Sequence, residues 1–155
     1  MGRKIVPKWL DAVKQDLRLH YDHFFHKCPD DVWIPEATKR GWIIISPDKL
    51  IEGDSINRAA VIRASAKVFL LSSKDLVGEE MAAILVVCRG RINELASAKS
   101  GPFIVRITKH VDMKPARFFG PEEQKETLNA CPERLADQRD LNWILGCPHG
   151  HSECA

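Results

Sequence analysis

The sequence predicts a three-layer α/β/α domain with a mostly parallel central sheet. Three apolar runs rich in β-branched residues support this prediction: residues 42–45, 67–72 and 103–107. Continuous apolar strands are typical of parallel sheets that are covered on both faces. Segments with helical periodicity separate the runs, and such alternation of strands and helices is typical of α/β folds.

The segments around the strands have the spacing and end signals of helices. Pro7 is compatible with the first helix because it falls in the first turn. In the second helix, Asp30 or Asp31 is a candidate N-cap and Gly41 a candidate C-terminal stop. The helices are predicted over residues 5–13, 32–39, 55–66 and 78–99, and a short strand over residues 17–21.

Length and composition favour a folded, cytoplasmic protein. The 155 residues, 45% of them hydrophobic, suffice for one domain with an extension. No stretch approaches the roughly 20 apolar residues that span a bilayer, and the first residues lack the apolar run of a signal peptide. We therefore expect the five cysteines to be thiols and not a disulfide framework.

The pattern of strands and helices weakens in the last third of the chain. From Asp112 onward there are five Lys/Arg and eight Asp/Glu, whereas residues 1–111 carry a net charge of about +5. We predict a domain over residues 1–112 and a C-terminal extension over 113–155 that is poorly ordered or partly helical. A moderately basic domain is compatible with a polyanionic partner, although such a charge also fits an ordinary solvated surface.

Two acids and a hydroxyl form the candidate site. Asp30 opens a predicted helix, and Asp48 follows the buried strand 42–45, with Ser46 two residues before it. Side chains at the carboxyl ends of parallel strands meet at one edge of the sheet. Two carboxylates there could hold Mg²⁺ or Mn²⁺, and Ser46 could orient Asp48 or a metal-bound water. Each acid also has a simpler interpretation, because Asp30 could cap its helix and Asp48 could stabilise a turn.

At these residues the sequence resembles a known family. Asp30-Asp31-Val32-Trp33-Ile34-Pro35-Glu36-Ala37, followed by Arg40-Gly41-Trp42-Ile43-Ile44-Ile45-Ser46-Pro47-Asp48-Lys49, is similar to the PIN-like domain of VapC-type toxin ribonucleases. The shared unit is an acid that opens a helix, then a glycine, an apolar strand and a Thr/Ser-x-Asp motif. The resemblance covers about residues 2–110, and Arg58, the strand at Val68–Leu71 and Gly101-Pro102-Phe103-Ile104 also fit it.

The resemblance implies a metal-dependent endoribonuclease, often the toxin of a toxin–antitoxin pair. It implies Asp30 and Asp48 as metal-binding acids, Ser46 as their support, RNA as substrate and a cognate antitoxin protein as partner; it leaves a homodimer open. Two departures are visible. Leu50 occupies a position where related domains often have a second Asp, and the first strand of those domains, which ends in an Asp, is lacking. We expect codons upstream of Met1 to encode that strand.

Other functions remain open from the sequence. A catalytically impaired PIN-like domain that binds RNA or a protein partner is the main alternative, because two acids hold a cation less well than three or four. Cys147, His149, His151 and Cys154 are zinc-ligand types but lack the usual repeated spacing. The three histidines near Phe24 and Phe25 are more simply explained as surface or half-buried residues.

Overall fold

The computed structural model describes residues 2–25, 27–72, 76–119, 122 and 142–146. Its helices are α1 (Gly2–Ala12), α2 (His20–His23), α3 (Asp30–Lys39), α4 (Leu50–Gly53), α5 (Ser55–Ala64) and α6 (Gly78–Ala98). Its strands are β1 (Leu17–Leu19), β2 (Trp42–Ser46), β3 (Lys67–Leu71), β4 (Phe103–Ile107), β5 (Met113–Phe118) and β6 (Asn142–Leu145).

The strands form one six-stranded sheet in the order β1-β6-β2-β3-β4-β5. The first five strands in that order are mutually parallel, and only β5 runs antiparallel to its neighbour. The mostly parallel α/β fold predicted from the sequence is confirmed. Gly41 has a φ of 78° and ends α3, as its position predicted.

Helices cover both faces of the sheet, which explains why the strands are apolar throughout. On one face α1 and α6 pack against alternate strand residues such as Ile43, Phe69 and Val105. On the other face α3 and α5 pack against Ile44, Val68 and their neighbours. The three apolar strands predicted from the sequence contribute residues that are all buried: Ile43, Ile44, Ile45, Val68, Leu70, Ile104 and Val105.

The predicted boundary between residues 112 and 113 is wrong as a structural division. Strand β5 continues the sheet beyond β4, and Phe119 is buried in the core. Strand β6 lies between β1 and β2 and pairs in parallel with both. Backbone groups on two facing strand edges require partners when they are buried, and β6 supplies them. The remainder of the predicted extension lies outside the described residues.

Strand β6 is anchored by its side chains as well as by its backbone. Trp143 is fully buried, and its Nε1 donates a hydrogen bond to Asn93 Oδ1 at 2.9 Å. Asn93 Nδ2 in turn donates to Gln15 Oε1 at 3.0 Å, which connects β6 to α6 and to the turn after α1. In the described part of the chain, no helix combines the length and the hydropathy required to cross a membrane.

Candidate functional site

Asp30 is the first residue of α3, and its carboxylate accepts hydrogen bonds from one side chain of α3 and one of α5 instead of capping the helix. The N-cap residue is Pro29, which has no side-chain capping bond, so the interpretation of Asp30 as an N-cap is wrong. Trp33 Nε1 donates to Asp30 Oδ1 at 2.8 Å, and Asn57 Nδ2 donates to Asp30 Oδ2 at 3.0 Å. Both oxygens are therefore fixed in direction by neutral donors, and a carboxylate oxygen can accept from more than one donor.

Asp48 is buried just beyond the carboxyl end of β2. Its Oδ1 accepts a hydrogen bond from Leu50 N at 2.9 Å, so the residue does stabilise a turn, the simpler of its two sequence interpretations. Ser46 is completely buried, and its Oγ accepts a hydrogen bond from Asp48 N at 3.1 Å. Ser46 thus holds the backbone amide of Asp48 in place.

Asn57 connects the two acids. Besides Asp30, its Nδ2 donates to Leu50 O at 3.2 Å, and the Leu50 amide is the group that binds Asp48. Asp30 and Asp48 are consequently joined through one amide side chain and one backbone residue. Asp54, the N-cap of α5, fixes the position of Asn57 by accepting from the backbone amides of Ile56 and Asn57.

The donor set suits a hard cation with few protein ligands. Mg²⁺ is commonly bound by one or two carboxylates, with water and substrate phosphates completing its shell. Asp30 and Asp48 match that requirement in number and chemistry, and both belong to one hydrogen-bonded network. Among the residues the structure describes, no group of three or more His, Cys, Asp or Glu is arranged to hold a metal ion. Any cation here would depend on two carboxylates from this part of the chain.

An aromatic cluster supports the Asp30 side of the site. The His20 ring lies edge-on to Trp33 with a centroid distance of 4.9 Å, and burial lowers its pKa to about 4. A neutral imidazole therefore packs against the indole that holds Asp30. Gly146, directly after β6, lies so close that a Cβ there would be 3.1 Å from Ser46 Oγ and 3.2 Å from the Trp33 ring. Strand β6 thus closes the other side of the cluster.

Three residues of this site were not predicted from the sequence: Asn57, Trp33 and Gly146. Trp33 lies one helical turn from Asp30, a predicted capping acid, and that spacing was the available signal for a short-range hydrogen bond. Of the histidines noted from the sequence, His20 is buried and His23 lies edge-on to the Trp42 ring, which agrees with structural roles. His26 and the Cys/His group at 147–154 lie outside the described residues.

Comparison with known proteins gives a family match for the N-terminal part of the chain. Residues 1–73 match a family model described as a PIN like domain. That range includes Asp30, Ser46, Asp48 and Asn57. Searches of curated proteins and of solved structures each found no match.

The α/β fold and the family match together support a PIN-like domain, a class with a nuclease-type fold. The match is to PIN-like domains in general and does not select the VapC-type toxins among them.

Proposed function

We propose that this protein is a metal-dependent endoribonuclease of the PIN-like type. The observation that supports the proposal best is the network from Asp30 through Asn57 and Leu50 to Asp48, at the carboxyl edge of a parallel sheet. Sites in open α/β sheets are formed at that edge. The match of residues 1–73 to PIN-like domains agrees with phosphodiester hydrolysis as the chemistry.

In this proposal Asp30 and Asp48 would hold Mg²⁺ or Mn²⁺. Such an ion, when bound, lowers the pKa of water and offsets negative charge on a phosphate. The protein's own contribution is orientation. Trp33 and Asn57 fix the Asp30 carboxylate, while Ser46 and the Leu50 amide fix Asp48. Side chains held in this way need no rearrangement when substrate arrives.

The test combines cleavage with cation binding. Asp30→Asn and Asp48→Asn should each lower Mn²⁺-dependent cleavage of a labelled RNA by roughly 100-fold or more, because a neutral amide is a poor ligand for a hard cation. Both should also abolish the rise in thermal stability that Mn²⁺ gives the parent protein. Asp54→Asn is the matched control, since an amide retains the N-cap acceptor of α5. Cleavage that persists in both site variants would exclude this assignment.

A catalytically impaired PIN-like domain that binds RNA is the second candidate. It is favoured because, in the described part of the chain, no group of three or more His, Cys, Asp or Glu is arranged to hold a metal ion. Leu50 is half exposed at the position where the resembling domains often have another acid. RNA binding that is unaffected by Mn²⁺, together with no cleavage, would favour this candidate over the nuclease.

We further propose that the nuclease is the toxin of a toxin–antitoxin pair that acts on cellular RNA. The family resemblance supports this role. Induced expression should arrest bacterial growth, and Asp48→Asn should relieve the arrest. Co-expression of a small protein encoded by an adjacent gene should restore growth and form a complex with the chain. Arrest by Asp48→Asn equal to that by the parent protein would contradict a role that depends on cleavage.

A further inference from the structure

An open cleft with a cationic lining begins beside Asp48. It has a volume of about 770 Å³ and is bordered by Lys49, Arg58, Arg106 and Lys114, and Glu52 is the one carboxylate in its lining among the residues that the structure describes. These four cationic residues come from the turn after β2, from α5, from β4 and from β5. The lining therefore has a net positive charge next to the two-carboxylate site, and anions should be attracted to it.

The register of the sheet aligns this cleft with the candidate site. Ser46 pairs with Leu70, Leu70 with Arg106, and Arg106 with Lys114, so these residues form one row across β2, β3, β4 and β5. Adjacent strands are separated by about 4.8 Å, which places the Arg106 backbone roughly 10 Å from Ser46 and that of Lys114 roughly 14 Å away. The row leads from the carboxylates to the edge of the sheet.

Arg106 already forms a bidentate ion pair with a carboxylate of the protein itself, that of Glu52. Its Nε and Nη2 donate to the Glu52 carboxylate at 2.9 and 2.7 Å, although the Arg106 side chain is half exposed. Arg58 Nη1 holds the end of α4 by donating to the carbonyl oxygens of Glu52 and Gly53. The Arg106 guanidinium is thus kept oriented in the cleft, with a fork that matches phosphate as well as carboxylate.

An external anion has to displace Glu52 from a bidentate pair, and the half-exposed Arg106 guanidinium is open to that competition. The Glu52 side chain is only 20% exposed and stays next to the guanidinium, so its charge opposes the exchange. Lys49 and Lys114 are exposed and form no ion pair with any carboxylate in the described part of the chain. They are available to bind neighbouring charges when Arg106 exchanges its partner.

We propose that the cleft binds the phosphate backbone of a single-stranded nucleic acid. Arg106 binds one phosphate in exchange for Glu52, and Lys49 and Lys114 bind phosphates on either side. A chain with regularly spaced charges fits cations that are spread along a row better than a compact anion does. This inference deepens the proposed function, since it describes the path of the strand that Asp30 and Asp48 would act on. The binding itself requires neither a metal nor cleavage.

The test measures binding without cleavage. Fluorescence anisotropy of labelled single-stranded RNA and DNA 12-mers in EDTA should show binding that weakens as salt rises. Arg106→Gln and the double variant Lys49→Gln/Lys114→Gln should each reduce affinity at least about tenfold. The slope of log affinity against log salt should become shallower by about 0.7 for each phosphate that the variant no longer binds. Glu52→Gln should tighten binding, a gain that misfolding would not produce.

Arg18→Gln is the matched control. Arg18 belongs to another exposed Arg–carboxylate pair, with Asp16 at 2.7 Å, and lies on β1 at the opposite edge of the sheet from β5. Its replacement should leave binding unchanged. Parent-like binding by both cleft variants would overturn the proposal, as would equal competition by poly-glutamate of the same charge. If the parent protein binds the 12-mers through these residues but cleaves no RNA, the proposed binding site stands and only the proposed nuclease activity is excluded.

Discussion

The side-chain amide of Asn57 lies 3.0 Å from Asp30 Oδ2 and so joins α5 to the first residue of α3. The same amide reaches Leu50 O, in the turn that fixes Asp48. Asn57 is neutral, so it orients the carboxylate without adding charge. A negative side chain at this position would change a two-carboxylate site into one with three.

Asn57→Asp tests whether this position borders a cation site. Without divalent ions the variant should be less stable by about 1–3 kcal/mol, because two hydrogen bonds are removed and like charges meet. Addition of Mn²⁺ should raise its melting temperature more than that of the parent protein, since three carboxylates attract the ion more strongly.

Asn57→Leu is the control for that prediction. It removes the same hydrogen bonds and introduces no charge, so it should lose stability without any gain from Mn²⁺. Thermal unfolding with and without the ion measures both effects. An equal response of Asn57→Asp and the parent protein to Mn²⁺ would show that Asp30 does not border a cation site.

The sequence predicted those strands that can be recognised from their own residues. β2, β3 and β4 are continuous apolar runs, and such a run indicates a strand buried on both faces even when its neighbours in the sheet are unknown. β6 has four residues and β5 contains Pro115, so neither has a local pattern that separates it from a loop. Their strand conformation depends on pairing with distant residues, and the predicted domain boundary was wrong for that reason.

In the candidate site, too, local features could be predicted from the sequence and long-range contacts could not. The position of Asp48 after a buried strand follows from the sequence of β2 itself. The hydrogen bonds of Asp30 involve Asn57, which is 27 positions away, and an asparagine inside a helix has no distinguishing pattern. The packing of Gly146 against Ser46 requires a strand that the sequence did not reveal.

Substitution of Gly101 tests how closely the segment before β4 packs against the end of α5. A Cβ at Gly101 would lie 1.9 Å from Ser65 O, a backbone atom that cannot move without shifting the end of α5. Gly101→Ala should therefore lower the free energy of unfolding by at least about 2 kcal/mol. Gly90→Ala in α6 has open space around it and should raise that energy by about 0.5–1 kcal/mol. Urea denaturation measures both, and similar effects of the two changes would contradict the close approach of Gly101 to Ser65.

The buried His20 should make stability depend on pH. Its pKa is lowered to about 4 in the folded protein by burial, below the ordinary value of 6.5. As pH falls from about 6.5 to 4, the unfolded chain takes up a proton that the folded chain does not. The contribution of neutral His20 is therefore complete above pH 6.5 and is lost progressively towards pH 4.

His20→Gln should make the folded protein lose less stability between pH 7.5 and pH 4.5 than the parent does. His110→Gln, a change at an exposed position, is the control for general acid effects and should follow the parent protein. Urea midpoints at several pH values provide the measurement. Parallel pH curves for the parent and His20→Gln would contradict the buried, neutral state of this ring.

Trp143 provides the test of β6 as a strand inside the sheet. Its ring is fully buried among residues of α1, α6 and the sheet, and its Nε1 donates to Asn93 Oδ1. Trp143→Ala should lower the free energy of unfolding by about 3–5 kcal/mol, since it leaves a large cavity. Trp143→Phe retains most of the packing and should cost about 1–3 kcal/mol, mainly because Asn93 loses its donor.

Val87→Ala, at an exposed position of α6, is the control and should change stability by less than about 0.5 kcal/mol. If Trp143→Ala is as mild as Val87→Ala, then β6 does not occupy the place between β1 and β2. The closure of the site by Gly146 would be excluded with it.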